Sequence, residues 1–407
     1  MRIAILTQYY PPEVGAPQRR LSFLARLLAR RGHGVWVLTA MPNYPSGRIF
    51  PGYGGWLRRE RMDGVTILRS FIYPSNSLAF LPRMASYLSF VASSVMNGLW
   101  AISGLDVLIV ESPPLFLAVS GFALGRAKGA RLVFNVSDLW PASALELGVI
   151  RRGLSYKLAS ALERFAYKNA DLVTGQSRGI VEDIQSRHPK ARVCLFSNSV
   201  DTADFSPDKR SESLRREYAG TDEMLVTYAG LHGLAQGLHQ VLDSAADLGR
   251  DSGVRFLLVG DGPEKAELMA RARAEGLSHV TFRPAVAAAE VPVLLASSDV
   301  ILVPLRTALT GAVPSKLYEA MASGRPVVVS ADGEAKRIVT DAGCGITVVP
   351  GDSKGLSEAI RTLKANPALR DEMGLRGRKA AETLYDRERV TERFIDELEK
   401  LVLEKRS

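Results

Sequence analysis

Short apolar runs alternate with longer stretches of helical spacing along almost the whole chain. In the first half the runs are Ile3–Leu6, Val35–Leu38, Val65–Arg69, Val107–Val110, Leu132–Val136, Leu172–Thr174 and Val193–Phe196. The pattern restarts with Leu225–Tyr228, Arg255–Val259, Val280–Phe282, Val300–Val303 and Val327–Val329. Runs apolar on both faces, a few residues long, predict parallel strands covered by helices on either side. Helices are expected between them, around Arg19–Arg31, Gln236–Leu248 and Glu264–Ala274. The chain therefore reads as α/β, with two Rossmann-like domains of parallel sheet.

At 407 residues two cores are expected. The Ser-, Asp- and Pro-rich stretch Asn198–Asp208 marks the junction, giving domains over 1–198 and 199–385. The remaining segment, 386–407, has helical spacing from Arg387 to Lys405 and is expected to cross back onto the first domain.

One long uncharged stretch, Met84 to Leu105, changes the picture of the surface. Leu88, Val91, Val95, Leu99 and Ile102 recur at helical spacing, while Ser86, Ser89, Ser93 and Asn97 lie mostly elsewhere around the helix. So many small polar residues make a poor membrane span. A helix packed into the core through its apolar stripe is the first reading, and an interfacial helix the second.

Charge is uneven. The net charge is +9, and the first hundred residues carry all of it, with twelve Arg, no Lys and three acids. A basic first domain beside a neutral second one points to an anionic partner for the first alone: lipid, a diphosphate or nucleic acid. Nucleic acid is disfavoured because no helix-turn-helix, zinc-finger or RNA-recognition signature accompanies the charge. The other reading is a surface merely rich in arginine. The two cysteines, Cys194 and Cys344, have no spacing that suggests a disulfide framework or a zinc site, which fits a reducing compartment. The opening Met1–Thr7 is too short an apolar run for a signal peptide, so a cytoplasmic location is expected.

In open parallel sheets, ligands sit beyond the carboxyl ends of the strands. The first such loop, Thr7–Arg20, ends in Gly15 before a helix, where backbone N–H groups favour an anion that Arg19 and Arg20 would reinforce. It lacks G-x-G-x-x-G, and no strand is followed by that fingerprint or by G-x-x-x-x-G-K-S/T, which argues against nicotinamide, flavin and P-loop chemistry.

The segment Val313–Val329 is more informative. Pro314 suits the first position of a helix and Gly324 the residue just past its end. Lys316 falls in the first turn, where the macrodipole disfavours a cation unless an anion binds beside it. Ser315 and Glu319 share a face, and such a glutamate can accept hydrogen bonds from vicinal ribose hydroxyls. Ordinary surface charges on a solvated helix would give the same spacing. A third loop, Asn135–Pro141, holds Asp138 and Trp140. A carboxylate there could orient or deprotonate an attacking hydroxyl, and an indole could stack on a sugar; a turn cap and core packing are the plainer alternatives. Glu111, at the end of the preceding strand, is a weaker candidate carboxylate. No Asp-x-Asp occurs, and no His/carboxylate cluster replaces it.

Taken together these segments resemble glycosyltransferase family 4. Thr7–Gly15 is similar to the family's opening loop and Arg31–Val35 to its second strand. Asn198–Asp201 with Phe205 and Pro207 is similar to its interdomain run, and Val259–Glu264 to a frequent second-domain turn. The resemblance implies a GT-B fold with two domains facing a central cleft, a retaining reaction and no metal or cofactor. Glu319 matches the second glutamate of the nucleotide-sugar motif, and the first would fall at Gly311, where backbone amides of Gly311 and Ala312 are left to serve. The usual Arg/Lys clamp on the diphosphate is also missing, with Leu231 and Gln236 in those places. Gly230, His232 and Gln236 together with Pro314-Ser315-Lys316-Leu317 look like the amino-sugar transferases of O-antigen and capsule assembly, including N-acetyl-L-fucosamine transferases.

The resemblance then implies donor contacts at Gly15, Arg19, Gly230, His232, Gln236, Pro314, Ser315, Lys316, Leu317 and Glu319. Glu13, Asp138 and Trp140 would face the acceptor, with Asp138, Lys316 and Glu319 catalytic. The donor would be a UDP-linked N-acetylated deoxy sugar, the acceptor a lipid-linked saccharide, and the setting the anionic inner face of the plasma membrane. Two other readings share the architecture: a nucleotide-sugar 2-epimerase, and an inactive GT-B partner subunit.

Overall fold

The computed structural model describes residues 1–77, 79–146, 148, 150–306, 311 and 313–406. It divides into one unit of Met1–Ser197 with Thr391–Ser407 and another of Asn198–Val390.

The first unit carries β1 (Arg2–Leu6), β2 (Gly34–Ala40), β3 (Leu57–Met62), β4 (Val65–Ser70), β5 (Val107–Ser112), β6 (Arg131–Val136), β7 (Leu172–Gly175) and β8 (Val193–Leu195). Its helices are α1 (Ala16–Arg30), α2 (Phe80–Ala101), α3 (Leu117–Lys128), α4 (Ala142–Glu146), α5 (Leu154–Asn169) and α6 (Arg178–Arg187). The sheet runs β3-β4-β2-β1-β5-β6-β7-β8. All neighbours are parallel except β3 and β4, which form an antiparallel edge. Alternation places Ala4, Leu6, Leu108, Val110 and Phe134 against Phe90 of α2 and Leu117 of α3, with Ile3 and Ile5 buried on the opposite face.

The second unit contains α7 (Glu212–Tyr218), β9 (Met224–Ala229), α8 (His239–Leu248), β10 (Val254–Val259), α9 (Lys265–Ala274), β11 (Val280–Arg283) and α10 (Val291–Ser297). After these come β12 (Val300–Pro304), α11 (Ser315–Ala322), β13 (Val327–Ser330), α12 (Glu334–Ala342), β14 (Gly345–Val348), α13 (Ser353–Ala365) and α14 (Pro367–Ala380). Its six-stranded sheet has the order β11-β10-β9-β12-β13-β14, parallel throughout. The chain closes with α15 (Arg387–Arg406), which groups with the first unit from Thr391 onward. There Phe394 stacks on Phe196 with ring centroids 4.1 Å apart, and Arg31 pairs with Glu392 and Asp396.

Two strands lie outside the expected set. The sequence of β3, Leu-Arg-Arg-Glu-Arg-Met, has no apolar run because it is an exposed edge, where charge blocks unwanted strand pairing. At the other sheet's edge, β14 is short and only partly buried.

The helix expected from Met84 to Leu105 exists as α2 and packs on the core through Phe90 and Val91, but Leu88 and Leu99 of the expected stripe face out. Ser93 is 0% exposed and Ser86 and Asn97 are buried, whereas Leu88 is 53% exposed and Leu99 also faces out. Hydrogen bonds from the small polar residues explain this. Ser93 donates to the Phe71 carbonyl, and Asn97 donates to Ser70 Oγ at 2.9 Å and to the Trp56 carbonyl at 3.1 Å. Ser94 donates to Ser120 of α3 at 3.1 Å. Buried polar groups that are satisfied this way cost little, and they turn the leucines outward.

Candidate functional site

At the carboxyl end of the second sheet, the loops after β9 and β10 are laced together. Gly230 N–H donates to the Val259 carbonyl at 2.8 Å, His232 N–H to Asp261 O at 2.9 Å, and Glu264 N–H back to His232 O at 3.0 Å. The backbones approach so closely that a Cβ on Gly260 would lie 1.8 Å from the Gly230 oxygen, and Gly260 has φ +147°. Lys265 locks the turn, donating to the Gly260 carbonyl at 2.7 Å and to Asp261 at 3.1 Å.

Over this lacing lies Lys316. Pro314 is extended, and α11 starts at Ser315, so Pro314 stands one position before the first helical residue. Leu317 and Tyr318 bury themselves in the core, which fixes the rotation of the helix and aims Lys316 at β9. Its Nζ donates to Tyr228 Oη at 3.0 Å and sits 4.7 Å from that ring's centroid. Tyr228 Oη in turn donates to the Leu231 carbonyl at 2.6 Å. Burial pushes the Lys316 ammonium down to about 8, opposed by the attraction of Glu319. Glu319 and Ser315 are half-buried on the same helix.

His232 is fully buried, with its ring near Tyr228 and Phe282. Neither ring nitrogen has a well-formed hydrogen bond, apart from a contact with the Val259 carbonyl. Burial first, then Lys265 and Lys316, hold its pKa below the usual imidazole range, so the ring is neutral near pH 7. Leu231 is exposed, while Gln236 closes a short 3-10 turn and keeps a buried, unpartnered Oε1. Gly311 has φ +74°, and Ala312 lies outside the described residues.

In the first unit, Glu13 is buried and its carboxylate is engaged: Oε1 accepts from the N–H groups of Asn43 and Tyr44 at 2.9 and 2.8 Å, and Oε2 from Tyr10 N–H at 3.2 Å. It ties the opening loop to the end of β2. Gly15 directly precedes α1, and Arg19 is exposed. Arg20 points inward instead, donating to Glu111 at 2.9 Å and to Ser137 at 2.8 Å. Asn135 and Ser137 also donate to Glu111, and Thr174 donates to Asn135, so one buried polar network joins the ends of β5, β6 and β7.

Asp138 follows this network directly. One oxygen accepts from Ser143 at 2.8 Å, and burial raises its pKa despite the bonds from Ser143 and the Leu139 backbone. A partly desolvated carboxylate with raised proton affinity suits a general base. Trp140 is half-buried beside Phe116, whose ring also stacks on Tyr87 of α2.

Models of two protein families match the chain along most of its length. "Glycosyl transferase 4-like domain" covers residues 15–199, and "Glycosyl transferases group 1" covers 210–380. The chain belongs to the group 1, family 4-like glycosyltransferases. Among curated relatives, the putative colanic acid biosynthesis glycosyl transferase WcaI of Escherichia coli K12 is 29% identical over 98% of this chain and 100% of its own length. The probable glycosyltransferase WbjE of Pseudomonas aeruginosa is 25% identical over 63% of this chain and 65% of its own. Among solved structures, HepE of Anabaena in complex with UDP has a TM-score of 0.76, with 19% identity over 98% of this chain and 100% of that one. That likeness shows the GT-B fold.

Sequence reasoning missed three features of this glycosyltransferase. Tyr228 carried no signal, since a tyrosine in an apolar strand reads as core. Lys265 resembled any solvated helix residue. Arg20 and Glu111 were considered singly, and only the sheet order makes them a pair.

Proposed function

We propose that this glycosyltransferase moves a sugar from a nucleoside diphosphate donor to a saccharide during surface polysaccharide assembly. The observation that carries the proposal is the Lys316 ammonium at the first turn of α11, desolvated against Tyr228. A buried cation in that state favours an incoming anion, and the N–H groups of the helix start add to the field. The diphosphate rests there and Glu319, one turn on, accepts from the ribose hydroxyls. Lys316 stabilises charge developing on the leaving diphosphate, in place of the clamp that Leu231 and Gln236 do not provide.

On the other substrate, Asp138 orients or deprotonates the acceptor hydroxyl and Trp140 stacks on its ring. The reaction is taken to proceed with retention and without metal or cofactor, as the family resemblance implies. The UDP-linked N-acetylated deoxy sugar rests on resemblance to the amino-sugar transferases, and a lipid-linked acceptor fits the relatives' polysaccharide names.

The test incubates the purified chain with UDP-N-acetylated deoxy sugars and lipid-linked saccharides and follows products by mass spectrometry and NMR. Transfer with an unchanged anomeric configuration is expected. Epimerisation of the free donor, or UDP binding without transfer to any acceptor, would overturn the reading.

A further inference from the structure

Three helices of the first unit, α2, α3 and α5, pack side by side on one face of its sheet. Ser94 of α2 reaches Ser120 of α3, and Phe122 of α3 meets Phe165 of α5 edge-on at 5.0 Å. Their outer surface has an unusual composition.

Along α2 the exposed positions Leu81, Ala85, Leu88, Ala92, Met96 and Leu99 fall at helical spacing and are all apolar. They form one stripe along a helix about 30 Å long, and Trp100 beside its end is 82% exposed. A second stripe on α5 comprises Leu154, Leu158, Ala161 and Phe165, and Val119 of α3 is exposed as well. Exposed apolar positions gathered on adjoining helices in this way mark an interaction site. It does not arise from surplus hydrophobic residues, because α2 buries its serines and asparagine and presents its leucines.

Charge identifies the occupant. Lys157, Arg164 and Lys168 are exposed along α5, Arg151 and Arg152 just before it, and Arg126 on α3. The only acid on the three helices is Glu163, which is buried against Arg187. Two copies of the chain meeting through this face would bring like charges together, whereas anionic head groups would meet them with opposite charge. No helix among the described residues is long and apolar enough to cross a membrane. We propose that the α2–α3–α5 face docks on an anionic bilayer surface, its leucines entering the head-group boundary and its basic residues contacting the lipid charges.

This extends the reading of a lipid-borne acceptor and places that acceptor near the chemistry. Tyr87 of α2 stacks on Phe116 at 5.6 Å, and Phe116 touches Trp140, two residues from Asp138. A lipid-linked saccharide held at the α2 surface therefore lies beside the loop assigned to the acceptor.

Co-sedimentation of the full chain with phosphatidylcholine vesicles, with and without phosphatidylglycerol, tests the proposal. Binding should require the anionic lipid and weaken with salt. Leu88→Glu/Met96→Glu should lower it about tenfold or more, and Lys157→Glu/Arg164→Glu by about the same factor. Melting temperature should be kept in both. Should the first variant fail to fold, the charge variant decides alone. Wild-type binding that ignores phosphatidylglycerol, variants that bind as well as wild type, or a concentration-dependent dimer abolished by Leu88→Glu would overturn the proposal. UDP binding by calorimetry separates the two readings: lost UDP binding with intact vesicle binding faults the donor site and leaves the docking face standing.

Discussion

The side chain of Lys316 lies across Gly230 so closely that a Cβ there would meet its Cε at 2.0 Å and its Nζ at 2.3 Å. Gly230 also has φ +150°, which L side chains rarely adopt. The glycine after β9 and the lysine of α11 thus form one unit: the first leaves room, and the second fills it with charge.

Lys316→Met should lower UDP affinity about 10–100-fold, the loss of charge-assisted hydrogen bonds to a diphosphate. The melting temperature of the unliganded protein should hold or rise, because a desolvated cation is removed. Gly230→Ala should weaken UDP binding similarly by displacing Lys316, with some loss of stability. Calorimetry and thermal melts check both; unchanged UDP affinity in Lys316→Met would sink the donor-site assignment.

The lowered Lys316 pKa sets a pH dependence with opposite signs for stability and binding. Its folded value of about 8 lies below the unfolded value of 10.5, so between them the unfolded chain holds more protons. Stability contributed by this group should therefore rise with pH across that window. UDP prefers the charged ammonium, so its affinity should fall as pH climbs past about 8, by up to about tenfold per unit. Titrations of UDP binding and melting over that range should run in opposite directions.

Asp138→Asn should lower the transfer rate about 10²–10⁴-fold, the usual contribution of a positioned acid–base group. Donor KM should change little, since the residue belongs to the other domain's loop. Ser143→Ala provides a contrast: it removes a bond that lowers the Asp138 pKa, so the rising limb of the pH–rate profile should move upward. A variant Asp138→Asn that retains full turnover would leave the residue as a turn cap only.

Glu111→Ala should destabilise the first unit by about 3–5 kcal/mol, since it removes the carboxylate that pairs with the buried Arg20 guanidinium. Replacing both partners, as Arg20→Met with Glu111→Leu, should cost less than that single change. Chemical denaturation of the variants, fitted as a cycle, measures the coupling.

How much was legible in the chain depended on range. Most strands and several helices were readable because period and capping residues act within a few positions; Val107–Val110 and Lys265–Ala274 needed no distant partner to declare themselves. The edge strand β3 escaped because an exposed edge does not need apolar alternation. Of the candidate carboxylates, Glu13 could not be recognised from sequence as a clamp, since its donors come from Asn43 and Tyr44, well along the chain.

The amino-acid order alone determined the α/β class, the two-part organisation and the family, because local periodicity and short motifs encode them. Tertiary structure alone decided that Lys316 meets Tyr228 across 88 positions, that Arg20 meets Glu111 across 91, and that α2 turns its serines inward. Each of these is a choice between faces of one element, and a face is chosen by whichever distant backbone or side chain can satisfy its polar groups when water is removed.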